Sequence, residues 1–267
     1  MSAKVVAEEV PLPADEEVVV WEEIIGRDIL RTIVKRGSND ESSPMGTIVK
    51  CHMNGFIYEP SGLTFVEELE DQFFKVGEGD AIPALELTLR HSHVGDIFRV
   101  RCTSKFAYGL EGRPPVKQPD GSMSLAIPPD ASLEYEVEVV AHVDFTAVVD
   151  ARPHGGVSNK ERELAIYEIT LRKDCGNRWF SYGDYPKATR AYAKGVELAE
   201  ASLGAGSEGS DEEQQKRLTS VYIACLNNLA ACYVHRGDNL KAKEVRILHI
   251  SYCLILYLNI IYTAYCI

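Results

Sequence analysis

The sequence predicts an α+β domain, an antiparallel sheet wrapped on one helix, followed by an all-α stretch of helical hairpins. Three observations predict it. Apolar and polar residues alternate from about Asp28 to Thr146, a Pro-, Gly- and Ser-rich break follows at "DARPHGGVSNKE", and beyond it apolar residues recur at helical spacing. These observations set an acidic N-terminal segment 1–27, a sheet domain 28–146, a linker 147–160, helical repeats 161–246 and an apolar tail 247–267.

Each element has its own signal. "TIVKCHMNG" puts Val49, Cys51 and Met53 on one face of a strand, and "DIFRVRCTS" does the same with Phe98, Val100 and Cys102. "SLEYEVEVVAHV" alternates Leu133, Tyr135, Val137 and Val139 with Glu134, Glu136 and Glu138, the glutamates on a wet face. Between the strands, "AIPALELTL" is short and apolar, a single helix. After the linker, Gly176, Trp179, Ala188 and Tyr192 sit at helical spacing around a "GDY" turn. Leu226, Leu229, Ala230, Tyr233 and Ala242 repeat the design. The string GDxxKA, at Gly183 and again at Gly237, marks an internal repeat interrupted by "GAGSEGSDEEQQ".

Composition narrows the function classes. Over 267 residues the formal charge is −12, the wrong sign for displacing counterions from a phosphate backbone, so no nucleic-acid partner is expected. The seven cysteines form no CxxC pair and read as reduced core fillers, Cys225 and Cys232 among them. With no basic segment leading an apolar core at the N-terminus, a cytoplasmic chain is expected. His91 and His93 share a strand face but lack a third ligand nearby, and "GAGSEG" lacks the Lys-Ser/Thr of a phosphate loop. No metal and no cofactor are expected.

The helical half resembles the tetratricopeptide repeat over roughly residues 162–245. In some families such repeats clamp the acidic C-terminal tail of a heat-shock chaperone. Lys173 and Asn177, four apart and so on one helix face, match the first pair of that clamp, and Asn228 matches its second position. The pattern departs near Val245, before a third repeat could supply the last two basic residues.

The sheet half resembles the FKBP family of peptidyl-prolyl isomerases over roughly residues 28–145. The resemblance rests on Ala107-Tyr108-Gly109, Ile127-Pro128-Pro129, the strand after Ala131 and the segment "VGEGDAIPALELTL", with a longer loop at "PPVKQPDGSMSLA". It implies rotation of X-Pro bonds in proline-containing segments, over a barrier of roughly 18–20 kcal/mol. The catalyst is a dry pocket rather than a nucleophile. The resemblance assigns catalysis to Tyr108, Phe65, Ile82 and Ile127, with the Tyr108 hydroxyl and the Ile82 backbone N–H donating to substrate carbonyls. Met53, Val66, Phe74, Leu85 and Tyr135 would complete the pocket. Active members carry Tyr, Asp and Trp where this chain has Met53, Val66 and Leu85, which implies reduced activity. The alternative is a non-catalytic, peptide-binding co-chaperone adaptor.

The tail Ile247–Ile267 has no charged residue. Three readings compete for it. It has the length of a single membrane span with basic residues on the cytosolic side. As a buried capping helix it is apolar all round rather than on one stripe. As a gene-model artefact it would be translation running on past an exon boundary, since the repeat pattern stops in mid-helix and Ile, Leu and Tyr dominate the tail.

Overall fold

A computed structural model describes residues 5–6, 19–37, 42–43, 45–118, 121–143, 159–204 and 212–265, and of 5–6, 159–160 and 253–265 the backbone alone. The chain divides into two compact units, Met1–Phe145 and Thr146–Ile267.

The first unit is a seven-stranded antiparallel sheet. In chain order its strands are β1 (Val5–Val6), β2 (Trp21–Ile25), β3 (Ile29–Lys35), β4 (Ile48–Glu59), β5 (Gly62–Lys75), β6 (Ile97–Cys102) and β7 (Leu133–Val143). In space they run β1-β2-β3-β6-β7-β4-β5. Helix α1 (Pro83–Leu89) lies between β5 and β6 in sequence and packs against β6. Proline at its first turn has no N–H to leave unsatisfied there, so "IPALELTL" starts a helix where it does. The alternating residues Cys51, Met53, Phe98, Val100, Leu133, Tyr135, Val137 and Val139 are all buried, as a period of two requires.

One expectation is corrected. Glu134 does not face water: it is 3% exposed. Arg101, opposite it on β6, donates from Nε and Nη2 to its Oε2 at 3.0 and 2.8 Å. The same guanidinium lies over the rings of Trp21 and Tyr58, with centroid distances of 4.3 and 3.8 Å. Strand β2 and the end of β4 thus cover a face that simple alternation assigns to solvent.

The described part of the second unit is built of helices: α2 (Asn159–Ser181), α3 (Tyr185–Gly204), α4 (Glu212–His235) and α5 (Asn239–Tyr265), each packed on the next. The GDxxKA repeat has a physical cause. Gly183 and Gly237 take left-handed backbone at φ +80° and +75°, which ends a helix without a Cβ penalty. The following aspartates cap the next helix, Asp184 Oδ1 accepting from Lys187 N–H at 3.0 Å and Asp238 Oδ1 from Lys241 N–H at 3.2 Å. Ala188 and Ala242 are then buried where the helices meet. Gly176 allows the closest approach, because a Cβ there would stand 2.5 Å from the Tyr192 ring.

Helix α5 continues through the apolar tail without a break at Val245. Val245 and Tyr252 pack on the core formed by Ile169, Leu218, Tyr222 and Leu226, Tyr252 edge-on to Tyr222 at 4.9 Å. Ile247, Leu248 and Ile250 are half exposed. Among the described residues no helix is long and apolar enough to cross a membrane; the side chains from Cys253 onward lie outside that description.

Candidate active site

The floor of the site begins with a β-bulge. Along the β4–β5 ladder Gly55 pairs with Glu67 and Phe56 with Phe65, so Val66 is extra. The bulge turns two successive side chains inward: Val66 is 3% exposed and Glu67 1%. Gly55 makes the room. A Cβ there would lie 2.9 Å from Tyr135 Cε1 and 3.2 Å from Glu67 Cγ.

A buried carboxylate requires partners. Arg113 Nη1 donates to Glu67 Oε2 at 2.6 Å, and the Tyr135 hydroxyl donates to Oε1 at 3.3 Å. Both members of the ion pair are sealed from solvent. Arg113 sits at the base of a hairpin in which it exchanges both backbone hydrogen bonds with Ile127, each at 2.9 Å. Gly112 must precede it. Its φ is +68°, and a Cβ would strike the Ile127 carbonyl oxygen at 2.3 Å. Ser124 on the returning arm accepts from Arg113 Nη2 at 3.3 Å and from Val116 N–H at 3.0 Å.

Tyr108 follows the 3-10 turn Ser104–Phe106 and is half-buried. Its hydroxyl engages both Arg113 and Tyr135, and the guanidinium carbon lies 5.3 Å from its ring centroid. Burial, and after it the Glu67 charge, push the phenol up to about 12, against the opposing pull of Arg113. Tyr108 is a neutral donor at physiological pH.

Helix α1 presents a second donor. The loop leading into it folds over the buried Glu86 carboxylate, which accepts from the N–H groups of Gly77 (2.8 Å), Asp80 (2.9 Å) and Ala81 (3.2 Å). Burial raises the Glu86 pKa despite those three donors. Ile82, next in the chain, is the extended residue before the helix; its carbonyl accepts from Glu86 N–H, and its own N–H has no partner among the described residues. Pro83 after it has no N–H at all.

The sequence-derived site residues fall in several places. Tyr108 and Tyr135 meet at the polar floor, and Ile127 is tied to it through the Arg113 backbone. Ile82, Leu85, Phe74 and Val66 are each 3% exposed. Phe65 is 49% exposed and packs edge-on against Phe56 at 5.7 Å. Met53, also 3% exposed, lines a groove of about 320 Å³ with His52, Glu68, Leu69, Ile97 and Glu136. Glu67 and Arg113 are the residues that sequence reasoning missed. Strict alternation puts Glu67 opposite its neighbour Val66; an isolated glycine inside a strand, Gly55, is the signal for a bulge that would have found it.

In the helical unit Asn177 Oδ1 accepts from the Asn228 amide at 3.0 Å and from the Tyr192 hydroxyl at 2.7 Å, which joins two of the three expected clamp residues. Lys173 stands one turn away on α2, with Nζ 3.3 Å from Asp174 Oδ1. His93 pairs with Asp96 at 3.5 Å, and no cluster fit to hold a metal exists among the described residues.

The family model for the FKBP-type peptidyl-prolyl cis-trans isomerase matches residues 39–140. The bovine (Bos taurus) peptidyl-prolyl cis-trans isomerase FKBP4 is 30% identical over 152 residues, 54% of this chain and 31% of that protein. FKBP20-1 of Arabidopsis thaliana is 32% identical over 147 residues, 51% of this chain and 72% of that protein. The crystal structure of the three FKBP domains of wheat FKBP73 overlaps 46% of this chain and 48% of that one, at 25% identity and a TM-score of 0.39. The chain therefore spans about a third of the longer relative and most of the shorter one. On the match to its sheet domain and to most of the Arabidopsis protein, the chain belongs to the FKBP-type peptidyl-prolyl cis-trans isomerase family.

Proposed function

We propose that the first unit isomerises X-Pro bonds in protein segments, at a reduced rate, in a chaperone-associated setting. What supports the proposal is membership of the FKBP-type family together with two donors, the neutral Tyr108 hydroxyl and the Ile82 N–H, which has no partner among the described residues. Rotation about the amide needs no nucleophile. Two fixed donors and a dry surface favour the twisted amide over the planar one that water stabilises. The rate is reduced because Met53, Val66 and Leu85 offer no donor to the twisted carbonyl and no rigid aromatic floor.

An exchange measurement by NMR on an X-Pro peptide tests the proposal. Tyr108→Phe removes one donor worth about 1–1.5 kcal/mol and lowers kcat/KM about tenfold. An unchanged rate would remove Tyr108 from catalysis. A wild-type rate at background with peptide binding retained would establish the adaptor reading instead.

The second unit, which resembles tetratricopeptide repeats, supports a second reading, the grip of an acidic peptide by its terminal carboxylate. Its support is the meeting of Asn177 and Asn228. Lys173→Ala is expected to weaken binding of such a peptide on the order of tenfold, measured by calorimetry at low salt. Equal affinity in wild type and variant would dismiss the clamp.

A further inference from the structure

The two asparagines of the helical unit meet over a buried tyrosine. Tyr192 belongs to α3 and is 1% exposed, yet its hydroxyl reaches Asn177 on α2. Gly176 lets it through: the phenol ring fills the space in which a Cβ would stand 2.5 Å from Tyr192 Cε1. Burial pushes the Tyr192 phenol up, so the hydroxyl keeps its proton and donates it to Asn177 Oδ1 at 2.7 Å. Asn228 on α4 donates an amide N–H to the same oxygen at 3.0 Å. A side-chain carbonyl oxygen has two lone pairs, and both are now taken. Turned over, the Asn177 amide would set an N–H against the tyrosine, whose own proton would then lack an acceptor among the described residues. A buried hydroxyl left that way is costly, so the amide has one orientation.

The result is a site of donors only. An asparagine side chain ordinarily offers both an acceptor and two N–H donors. Here the acceptor is occupied, and the exposed Asn177 keeps an NH2 with no partner among the described residues. Lys173, one turn earlier on α2, adds an ammonium that can only donate; at rest it lies 3.3 Å from Asp174 Oδ1. Donors four residues apart on one helix face suit a carboxylate and disfavour a primary amide, which brings N–H groups of its own. We propose that Tyr192 is a positioning residue that fixes the polarity of this grip. By holding Asn177 Oδ1 it leaves the NH2 to the ligand, and so sets the preference for a terminal carboxylate over a terminal amide. This inference rests on the acidic-peptide reading above. It assigns the choice of ligand to a buried residue beneath the contact surface. Tyr192→Phe keeps the ring against Gly176 and removes only the hydroxyl. Asn177 would then be held by Asn228 alone and could swing its oxygen towards a ligand N–H.

The test compares two acetylated peptides of Glu and Asp that differ only at the C-terminus, one a free carboxylate and one a primary amide. Both are titrated by calorimetry at low salt into the full chain. Wild type should bind the carboxylate form roughly tenfold tighter or more, the effect of one charge-assisted hydrogen bond. In Tyr192→Phe that ratio should shrink roughly three- to tenfold, the effect of one neutral hydrogen bond. A merely structural role predicts that both affinities fall together while their ratio holds. An unchanged ratio in a folded variant overturns the proposal, as does equal affinity of wild type for the two peptides. NMR relaxation of the wild-type Asn177 side-chain amide is a second readout that needs no variant. That NH2 should be as rigid as the α2 backbone, and one as mobile as in free asparagine overturns the proposal too. If wild type binds neither peptide, the grip itself has failed and the role of Tyr192 falls with it. A carboxylate preference that survives Tyr192→Phe instead leaves the grip standing and removes Tyr192 alone.

Discussion

At Gly55 the absence of a side chain is filled by two others, the ring of Tyr135 and the stem of Glu67. Those two residues are joined by the Tyr135 hydroxyl, which donates to the Glu67 carboxylate at 3.3 Å, so a one-atom change on β4 reaches the buried ion pair in two steps. Gly55→Ala would press a methyl group to 2.9 Å from the Tyr135 ring. The expected cost is about 1–3 kcal/mol of stability, measured by urea unfolding, because a packed core has no room to yield. Activity should fall with it. The buried pair Glu67–Arg113 belongs to the same scale. Glu67 without its partner would leave a carboxylate in the core, a loss of roughly 3–5 kcal/mol, while the intact pair contributes far less to stability than that figure suggests. It makes the floor specific more than it makes the fold stable.

Elements place these residues, and the end of β7 shows how a titrating group can hold one in place. His142 Nε2 lies 2.9 Å from the Ser43 hydroxyl, which pins the segment before β4 to the last turn of the sheet. Burial, and then the charge of His93, hold the His142 imidazole below its ordinary value against the pull of Asp96. The unfolded chain binds that proton more readily than the folded one. Stability is therefore complete above about pH 6.5 and declines as pH falls below it towards the lower folded value. Unfolding midpoints measured from pH 7.5 to 5 should follow this slope, and His142→Asn should flatten it. Sequence was informative where an element's pattern is local. Period-two strands, the proline that opens α1 and the two Gly-Asp turns are each set by residues adjacent in the chain, and each forms where the pattern puts it. It was silent where position depends on a partner strand. The bulge at Val66 is a property of the β4–β5 pair, and the covering of Glu134 depends on Trp21, over a hundred residues away. Tyr108 was therefore legible in the chain as a candidate, and the ion pair Glu67–Arg113 was not.

On the scale of the molecule, two units each bury their own core, and the formal charge of −12 is carried by a chain that covers about a third of its longer relative. The described cysteines are shared between the units. Cys51 and Cys102 lie in the sheet, Cys175, Cys225 and Cys232 among the helices, all of them buried as free thiols. Burial keeps four of these sulfurs protonated: Cys102 and Cys225 are pushed up to about 12, Cys232 to about 11, and Cys51 higher still. A protonated, buried thiol does not attack, so each becomes reactive only when its own surroundings open. With Cys253 and Cys266 replaced by serine, alkylation followed by mass spectrometry should yield two rate classes, one for the sheet cysteines and one for the helical ones. A single shared rate would mean that the two cores open together. The thiols thus act as five internal clocks, and the order in which they are labelled would record which half of the chain comes apart first.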